Sequence, residues 1–267
     1  MRLAGRLLML AGCMAMATGA AAQSSVTVPM LDVGGRPVIE VKINGAGPYR
    51  LIFDTGATNT VIDPSMVGGV TGLTTLKSLE IGSLRFDDVG VRSSTLPIGA
   101  PADFPKGVLS ASQFPGYLVT YDFPAKTITI AKGALPTADG KHIFQYGADE
   151  RLPVAPIRVA GHEYVIHVDT GSPMSVMLPL RYAKELGLDA AMTPAGKART
   201  VAGEFEMFTA TVNGAIQIGD FPIPDHVVRF SDLRPGPAPG IGNMGSALLK
   251  NFRLTFDSAN RRLRFEQ

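Results

Sequence analysis

Two aspartates stand in near-identical surroundings 115 positions apart. Leu51-Ile52-Phe53-Asp54-Thr55-Gly56-Ala57-Thr58 runs from apolar residues into Asp-Thr-Gly and then through a short polar step to Val61-Ile62. Val165-Ile166-His167-Val168-Asp169-Thr170-Gly171-Ser172 does the same ahead of Val176-Met177-Leu178. One such tripeptide carries little information, since it turns up by chance in a chain of this length on the order of a few times in a hundred. Two in matching contexts mark an internal repeat. Each is suited to hold a carboxylate on a tight loop: a strand delivers the Asp, the glycine permits a turn that a side chain would block, and the Thr hydroxyl can hydrogen-bond across a symmetric interface. If the loops meet on a pseudo-twofold axis, Asp54 and Asp169 become neighbours. Carboxylates so close share one proton, so that one serves as base and the other as acid. The plain alternative is that both are ordinary turn aspartates at strand ends.

The residues Asp54-Thr55-Gly56-Ala57 and Asp169-Thr170-Gly171-Ser172 tip that balance, because the chain resembles a pepsin-like or retropepsin-like aspartic protease in its two-lobed, single-chain bacterial form. A second family element, an apolar pair leading to a glycine, is matched by Ile241-Gly242-Asn243-Met244-Gly245 and, less closely, by Gly107-Val108-Leu109-Ser110. The resemblance covers about Pro37 to the C-terminus. It implies an all-β, bilobal fold with a cleft between pseudo-twofold-related lobes, and hydrolysis of peptide bonds by a water activated between Asp54 and Asp169 without metal or cofactor. It also implies that Thr55 and Thr170 bond across the lobe interface and that Gly56, Gly171 and Ser172 support the dyad, the serine by hydrogen-bonding its carboxylate. Two departures stand out: Pro173 removes a backbone donor from the second loop, and Ser110 stands where a glycine is expected.

The elements needed to position these residues are readable on either side of them. Val38 to Ile43, then Asn44-Gly45, then Tyr49 to Phe53 is a hairpin signature, repeated by Pro156 to Val159, Ala160-Gly161 and Tyr164 to Val168. Leu79-Glu80-Ile81-Gly82 answers Ile216-Gln217-Ile218-Gly219, and Tyr117 to Asp122 answers Phe252 to Asp257. Asp122 and Asp257, each before a tight turn, read as hairpin residues. The division expected is 1–22 signal, 23–136 first lobe and 137–267 second lobe, linked through Ala134 to Gly140. From Asp54 to Gly82 is 28 positions, and from Asp169 to Gly219 is 50, so the second lobe carries 22 extra residues. These hold a helix, Leu180 to Leu186, entered through Pro179 and ended by Gly187, and a hairpin over Ala198 to Phe208 turning near Ala202-Gly203. By resemblance that hairpin is a flap over the substrate, with Gly203, Glu204 and Phe205 as its binding residues. Phe205 and Met207 either line the cleft or pack the flap onto its lobe. The first lobe has only Val67 to Gly72 at the matching place, so an asymmetric cleft is expected.

At 267 residues, with 45% hydrophobic and 18% charged residues, 30 glycines and 20 prolines, the chain suits two lobes of a turn-rich β protein. Met1 to Ala22 reads as an export signal: Arg2 and Arg6, an apolar run from Leu7 to Ala17, and Ala20-Ala21-Ala22 before Gln23. The run is too short to span a bilayer. Leu10-Ala11-Gly12-Cys13 offers a second, less favoured processing, as a lipobox with Cys13 lipidated, which is the one route to a membrane. The expected location is therefore periplasmic or secreted.

Cys13 is the single cysteine, which leaves no disulfide or thiol chemistry for the remainder. Removing the signal lowers Lys+Arg from 25 to 23 against 23 Asp+Glu, taking the net charge from +2 to 0. Nothing then points to nucleic acid as a partner. His162 and His167 lie on opposite faces of one strand and form no metal set. Gly-x-Ser-x-Gly and phosphate-loop motifs are absent. The partner expected is a peptide or protein substrate, and two lobes in one chain make a monomer sufficient. A non-catalytic envelope protein of the same fold that binds peptides or a partner is the alternative.

Overall fold

Turn chemistry builds the strand that ends in each aspartate. Asn44 and Gly45 have φ of 52° and 80°, the pair of positive values that a two-residue hairpin requires. They fold Pro37–Ile43 back on Ala46–Asp54, with Val38 opposite Ile52 and Ile39 opposite Leu51. Ala160 and Gly161, at 49° and 87°, do the same for Val154–Val159 and His162–Asp169. Leu51, Ile52 and Phe53 are all buried, so this strand is covered on both faces just before it delivers Asp54. Burying a side chain of such size stabilises the fold by about 1.5–3 kcal/mol.

The computed structural model describes residues 24–96, 104–148, 150, 152–200, 203–224, 226–231 and 241–267. The expected signal segment and Cys13 lie outside them. The regular structure of the described residues is almost all strand, with two short α-helices, Arg181–Glu185 and Ser246–Leu249, and three short 3-10 helices. None of their helices is long and apolar enough to cross a membrane.

Each lobe has its own sheet. In the first, the order is Leu31–Asp32, Pro37–Ile43, Ala46–Asp54, Gly107–Ser110, Val61–Ile62, Leu84–Ser93, Gly72–Ile81, and a further pairing of Lys42 and Ile43 with Glu80 and Leu79 closes it into a barrel. In the second, the order runs Thr193–Thr200, Gly203–Thr211, Val227–Phe230, Val176–Leu178, Gly242–Gly245, His162–Asp169, Val154–Val159, Ile216–Ile218, Phe221–Ile223. One local pattern is common to both. The Asp-bearing strand runs parallel to a short strand, Gly107–Ser110 or Gly242–Gly245, which is antiparallel to the strand that follows the motif. In that register Asp54 lies opposite Ser110 and Asp169 opposite Gly245.

A third sheet joins the lobes, in the order Ser25–Pro29, Thr127–Lys132, Tyr117–Asp122, Arg253–Asp257, Arg262–Glu266, Ile143–Gln145. At its centre the two repeat-related strands pair with each other, Thr120 facing Thr255 with their hydroxyls 3.0 Å apart. These two residues hold equivalent places in the repeat, so the pseudo-twofold axis passes between them. Asp122 and Asp257 cap the adjoining turns, accepting from Ala125 N and from Asn260. The link between lobes is pinned by Leu135 N donating to Asp257.

The longer stretch of the second lobe holds the helix Arg181–Glu185, followed by Gly187 at φ 66°, and the hairpin Thr193–Thr200 with Gly203–Thr211. Thr200 pairs with Gly203. The turn expected near Ala202-Gly203 falls between them, where residues 201 and 202 lie outside the described residues.

Candidate active site

The two motif loops are clasped through their threonines. Thr55 N donates to Thr170 Oγ1 at 3.0 Å and Thr170 N to Thr55 Oγ1 at 3.1 Å. Each hydroxyl then donates onward across the interface, Thr55 to Val168 O at 2.6 Å and Thr170 to Phe53 O at 3.0 Å. Both threonines are buried, so these four bonds leave no orphaned donor in a place where one would be costly. The clasp ties the end of each Asp-bearing strand to the other lobe.

The clasp brings the carboxyl groups of Asp54 and Asp169 together, each against the other's loop. The glycines are required by this contact. A Cβ on Gly56 would stand 2.6 Å from Asp169 Cγ, and one on Gly171 would collide with the Asp54 carboxyl. Neither glycine has positive φ, so close approach of the opposite carboxylate, rather than the turn conformation expected from the sequence, excludes a side chain here. Asp54 keeps some exposed surface as a residue, but its carboxyl is enclosed by the two loops. Burial first, and the neighbouring Asp169 second, push its pKa well above the usual carboxylate range, against the pull of the Gly56 and Gly171 N–H groups.

The hydrogen bonds to the two carboxylates differ. Asp54 Oδ1 accepts from Gly56 N at 2.6 Å and from Gly171 N at 3.1 Å. Asp169 Oδ1 accepts from Ser172 N at 3.0 Å, and its Oδ2 from Asn243 Nδ2 at 3.0 Å. Ser172 thus supports Asp169 through its main chain. Its hydroxyl, expected at the carboxylate, instead accepts from Met174 N at 3.4 Å, because the N–H of the turn already occupies Oδ1.

Ser110 and Pro173 find distinct places. Ser110 Oγ donates to Ala57 O at 2.6 Å. A Cβ on its counterpart Gly245 would collide with Ser172 O, so the first lobe's motif loop stands further off and uses the hydroxyl to fill the gap. Pro173 packs on the loop that precedes Pro37, 3.1 Å from where a Cβ on Gly35 would lie, and Ser246 Oγ bonds Gly35 O in the same contact.

Three neighbours of the dyad were not among the residues singled out from the sequence. Arg36 donates Nε to Gly171 O at 3.0 Å and Nη1 to Gly34 O at 3.1 Å, and lies over the Phe104 ring at 5.6 Å. Burial lowers its pKa while Asp169 and Asp54 draw it back up; an arginine so placed stays a cation. Tyr121, fully buried, sets its hydroxyl near Thr170 and Asp54 without good hydrogen-bond geometry, and burial pushes its phenol well up. Asn243 is the third. Its signal was available: Val108 holds the equivalent place in the first lobe, so an amide replaces an apolar residue beside the motif. Arg36 carries the same signal, since its counterpart by the repeat is the apolar Leu152.

In the hairpin, Lys197 Nζ donates to Glu204 at 2.9 Å, Met207 is buried, Phe205 is half-buried, and Ser231 Oγ donates to Glu206 O.

Residues 39–78 and 155–248 match the sequence profile of a family described as aspartyl protease, a span that takes in both motifs and the Gly242–Gly245 strand. No curated protein matches the chain in sequence. Among solved structures, the aspartic proteinase from Irpex lacteus is similar in fold, with a TM-score of 0.56 over 91% of this chain and 97% of that one at 15% identity. The all-β architecture of two repeat-related lobes is thus an aspartic-protease fold, and the chain belongs to the aspartyl protease family.

Proposed function

We propose that the protein is an exported aspartic endopeptidase that cleaves extended peptides or exposed polypeptide segments with a water held between Asp54 and Asp169. The observation that carries this reading is the carboxylate pair itself, brought together across the lobe interface by the threonine clasp. In the reaction, one carboxylate takes a proton from the water as the water oxygen bonds to the scissile carbonyl carbon. The other gives its proton to the carbonyl oxygen. The tetrahedral diol then collapses: the carboxyl that took the water's proton gives it to the nitrogen as the C–N bond breaks, and the other carboxylate takes the proton of one diol hydroxyl, which restores the dyad. General acid and base action is worth about 10²- to 10⁴-fold per group, and the N–H groups around the dyad stabilise charge where it develops.

The hairpin of the second lobe supports substrate binding in extended form. Thr193–Thr200 is an edge strand of its sheet, and a peptide lying along a hairpin edge gains main-chain hydrogen bonds while water is kept out. Export rests on the N-terminal segment of the sequence.

Digestion of a diverse peptide mixture by the purified chain from about pH 3 to 7, followed by mass spectrometry, tests the reading. Cuts are expected with wild type, and Asp54→Asn and Asp169→Asn should each be slower by about 10³-fold or more. Cleavage by Asp54→Asn at the wild-type rate would sink the mechanism. Silence from folded wild type throughout would favour a peptide-binding protein of the same fold.

A further inference from the structure

We propose that Asn243 is a positioning residue that makes the dyad asymmetric, holding Asp169 as the proton-free member and leaving the shared proton on Asp54 Oδ2. The inference rests on the reading of Asp54 and Asp169 as a catalytic pair.

Strand register places the residue. His167 lies opposite Asn243 and Asp169 opposite Gly245 in a parallel pairing, and alternation along each strand puts all four on one face of the sheet. The equivalent pair in the first lobe is Ile52 opposite Val108, so only the second lobe brings polar side chains to its aspartate from this row. Asn243 Nδ2 donates to Asp169 Oδ2 at 3.0 Å. With the amide in this orientation Asp169 Oδ2 is an acceptor, the role an ionised carboxylate fills. Its Oδ1 is then buried without a hydrogen-bond partner, and so is Nδ1 of the adjacent His167. A purely structural asparagine would satisfy both ends of its amide. This one leaves its oxygen unpaired while its nitrogen serves the aspartate.

The donors divide accordingly. Both N–H groups that reach Asp54 go to Oδ1, so Oδ2 is free to carry a proton toward Asp169. On Asp169 each oxygen receives one donor, an arrangement that suits a carboxylate and leaves a lone pair to accept from Asp54. Burial and the facing Asp169 also raise Asp54. The charged and titratable groups around Asn243 and Asp169 are Asp54 and Arg36 across the lobe interface, His167 in register, Glu150 facing His167, and Arg229, in line through Met177. Burial lowers His167, so it is a neutral ring at neutral pH. Asn243 then acts by orientation: with Asp169 held proton-free, Asp169 is the base toward water and Asp54 the acid toward the carbonyl oxygen.

Two variants test this. Asn243→Val installs the first-lobe residue and removes the donor, while Asn243→Ser keeps a hydroxyl that can donate. The dyad is titrated by ¹³C NMR of carboxyl-labelled aspartates, assigned with Asp54→Asn and Asp169→Asn, which needs no turnover. In wild type Asp54 should be the later of the two to lose its proton. Asn243→Val should move the Asp169 titration up by about one pH unit or more, and Asn243→Ser by less. Where peptide cleavage is measured, the acid limb of kcat/KM should move with it and kcat should fall about tenfold, with KM little changed. If Asn243→Val does not fold, the Ser variant decides by the same shift. An Asp169 titration unmoved in the folded variants, or Asp169 titrating after Asp54 in wild type, overturns the proposal. Wild-type protein that titrates as stated yet cleaves nothing would overturn the protease reading and leave the asymmetry standing.

Discussion

Asp54 carries an energetic load that follows from its place. A carboxyl whose folded pKa is raised destabilises the folded state once the pH passes its unfolded value near ~3.9, and makes no such contribution below it, where both states hold the proton. Asp54→Asn imitates the protonated form: its oxygen can accept from Gly56 and Gly171, and its NH₂ can face Asp169. Thermal unfolding followed by circular dichroism should therefore give this variant a higher midpoint than wild type at pH 7, with the gain shrinking to nothing as the pH falls below ~4. A lower midpoint at pH 7 would mean that the two loops favour the ionised group. Loss of cleavage combined with gain of stability is the pattern expected of a group kept for chemistry.

At the scale of elements, the unit that matters is a strand end, a loop and the partner loop across the axis. Leu51-Ile52-Phe53 and Ile166-Val168 anchor the strands in their cores, and the threonine clasp fixes where the strands end. Thr170→Val keeps the volume but removes the acceptor for Thr55 N and the donor to Phe53 O. It should lower the free energy of unfolding by about 1–3 kcal/mol, the cost of a buried orphaned donor, as read by urea titration. A change within a few tenths of a kcal/mol would mean that water or another group takes over the bond. The second-lobe hairpin is another element-scale difference, arising from a 22-residue insertion that the first lobe lacks.

The whole molecule is held by the shared sheet and the link that feeds it. Asp139 Oδ1 accepts from Lys141, His142 and Ile143 N, each at 2.8 Å, and starts the strand Ile143–Gln145 on the outer edge of that sheet. These backbone donors, Ile143 first, hold its pKa down at about 2. For a depressed carboxyl the stabilisation is full above the unfolded value near ~3.9 and fades as the pH falls through the folded one. Asp139→Ala should therefore melt below wild type at neutral pH, and the two curves should converge as the pH is taken down toward 2. An unchanged difference at low pH would show that the loss is one of chain geometry rather than of charge.

What the sequence determined by itself is whatever repeats or alternates. The paired Asp-Thr-Gly motifs, the hairpins at Asn44-Gly45 and Ala160-Gly161, the helix ended by Gly187 and the all-β class are local or periodic signals, and a repeat doubles each of them. Tertiary structure alone decided what depends on contact across the axis. That Tyr117–Asp122 pairs with Arg253–Asp257 is invisible in either strand, because each is equally suited to an edge or a centre. That Gly56 and Gly171 are required by the opposite carboxyl, that Ser172 uses its main chain, and that Arg36 and Asn243 reach the dyad are matters of distances set by packing. The asymmetry of the pair belongs to that second class. The motifs are alike, and the difference between their carboxylates comes from Asn243, 74 positions beyond Asp169 in the chain and 3.0 Å from it in the fold.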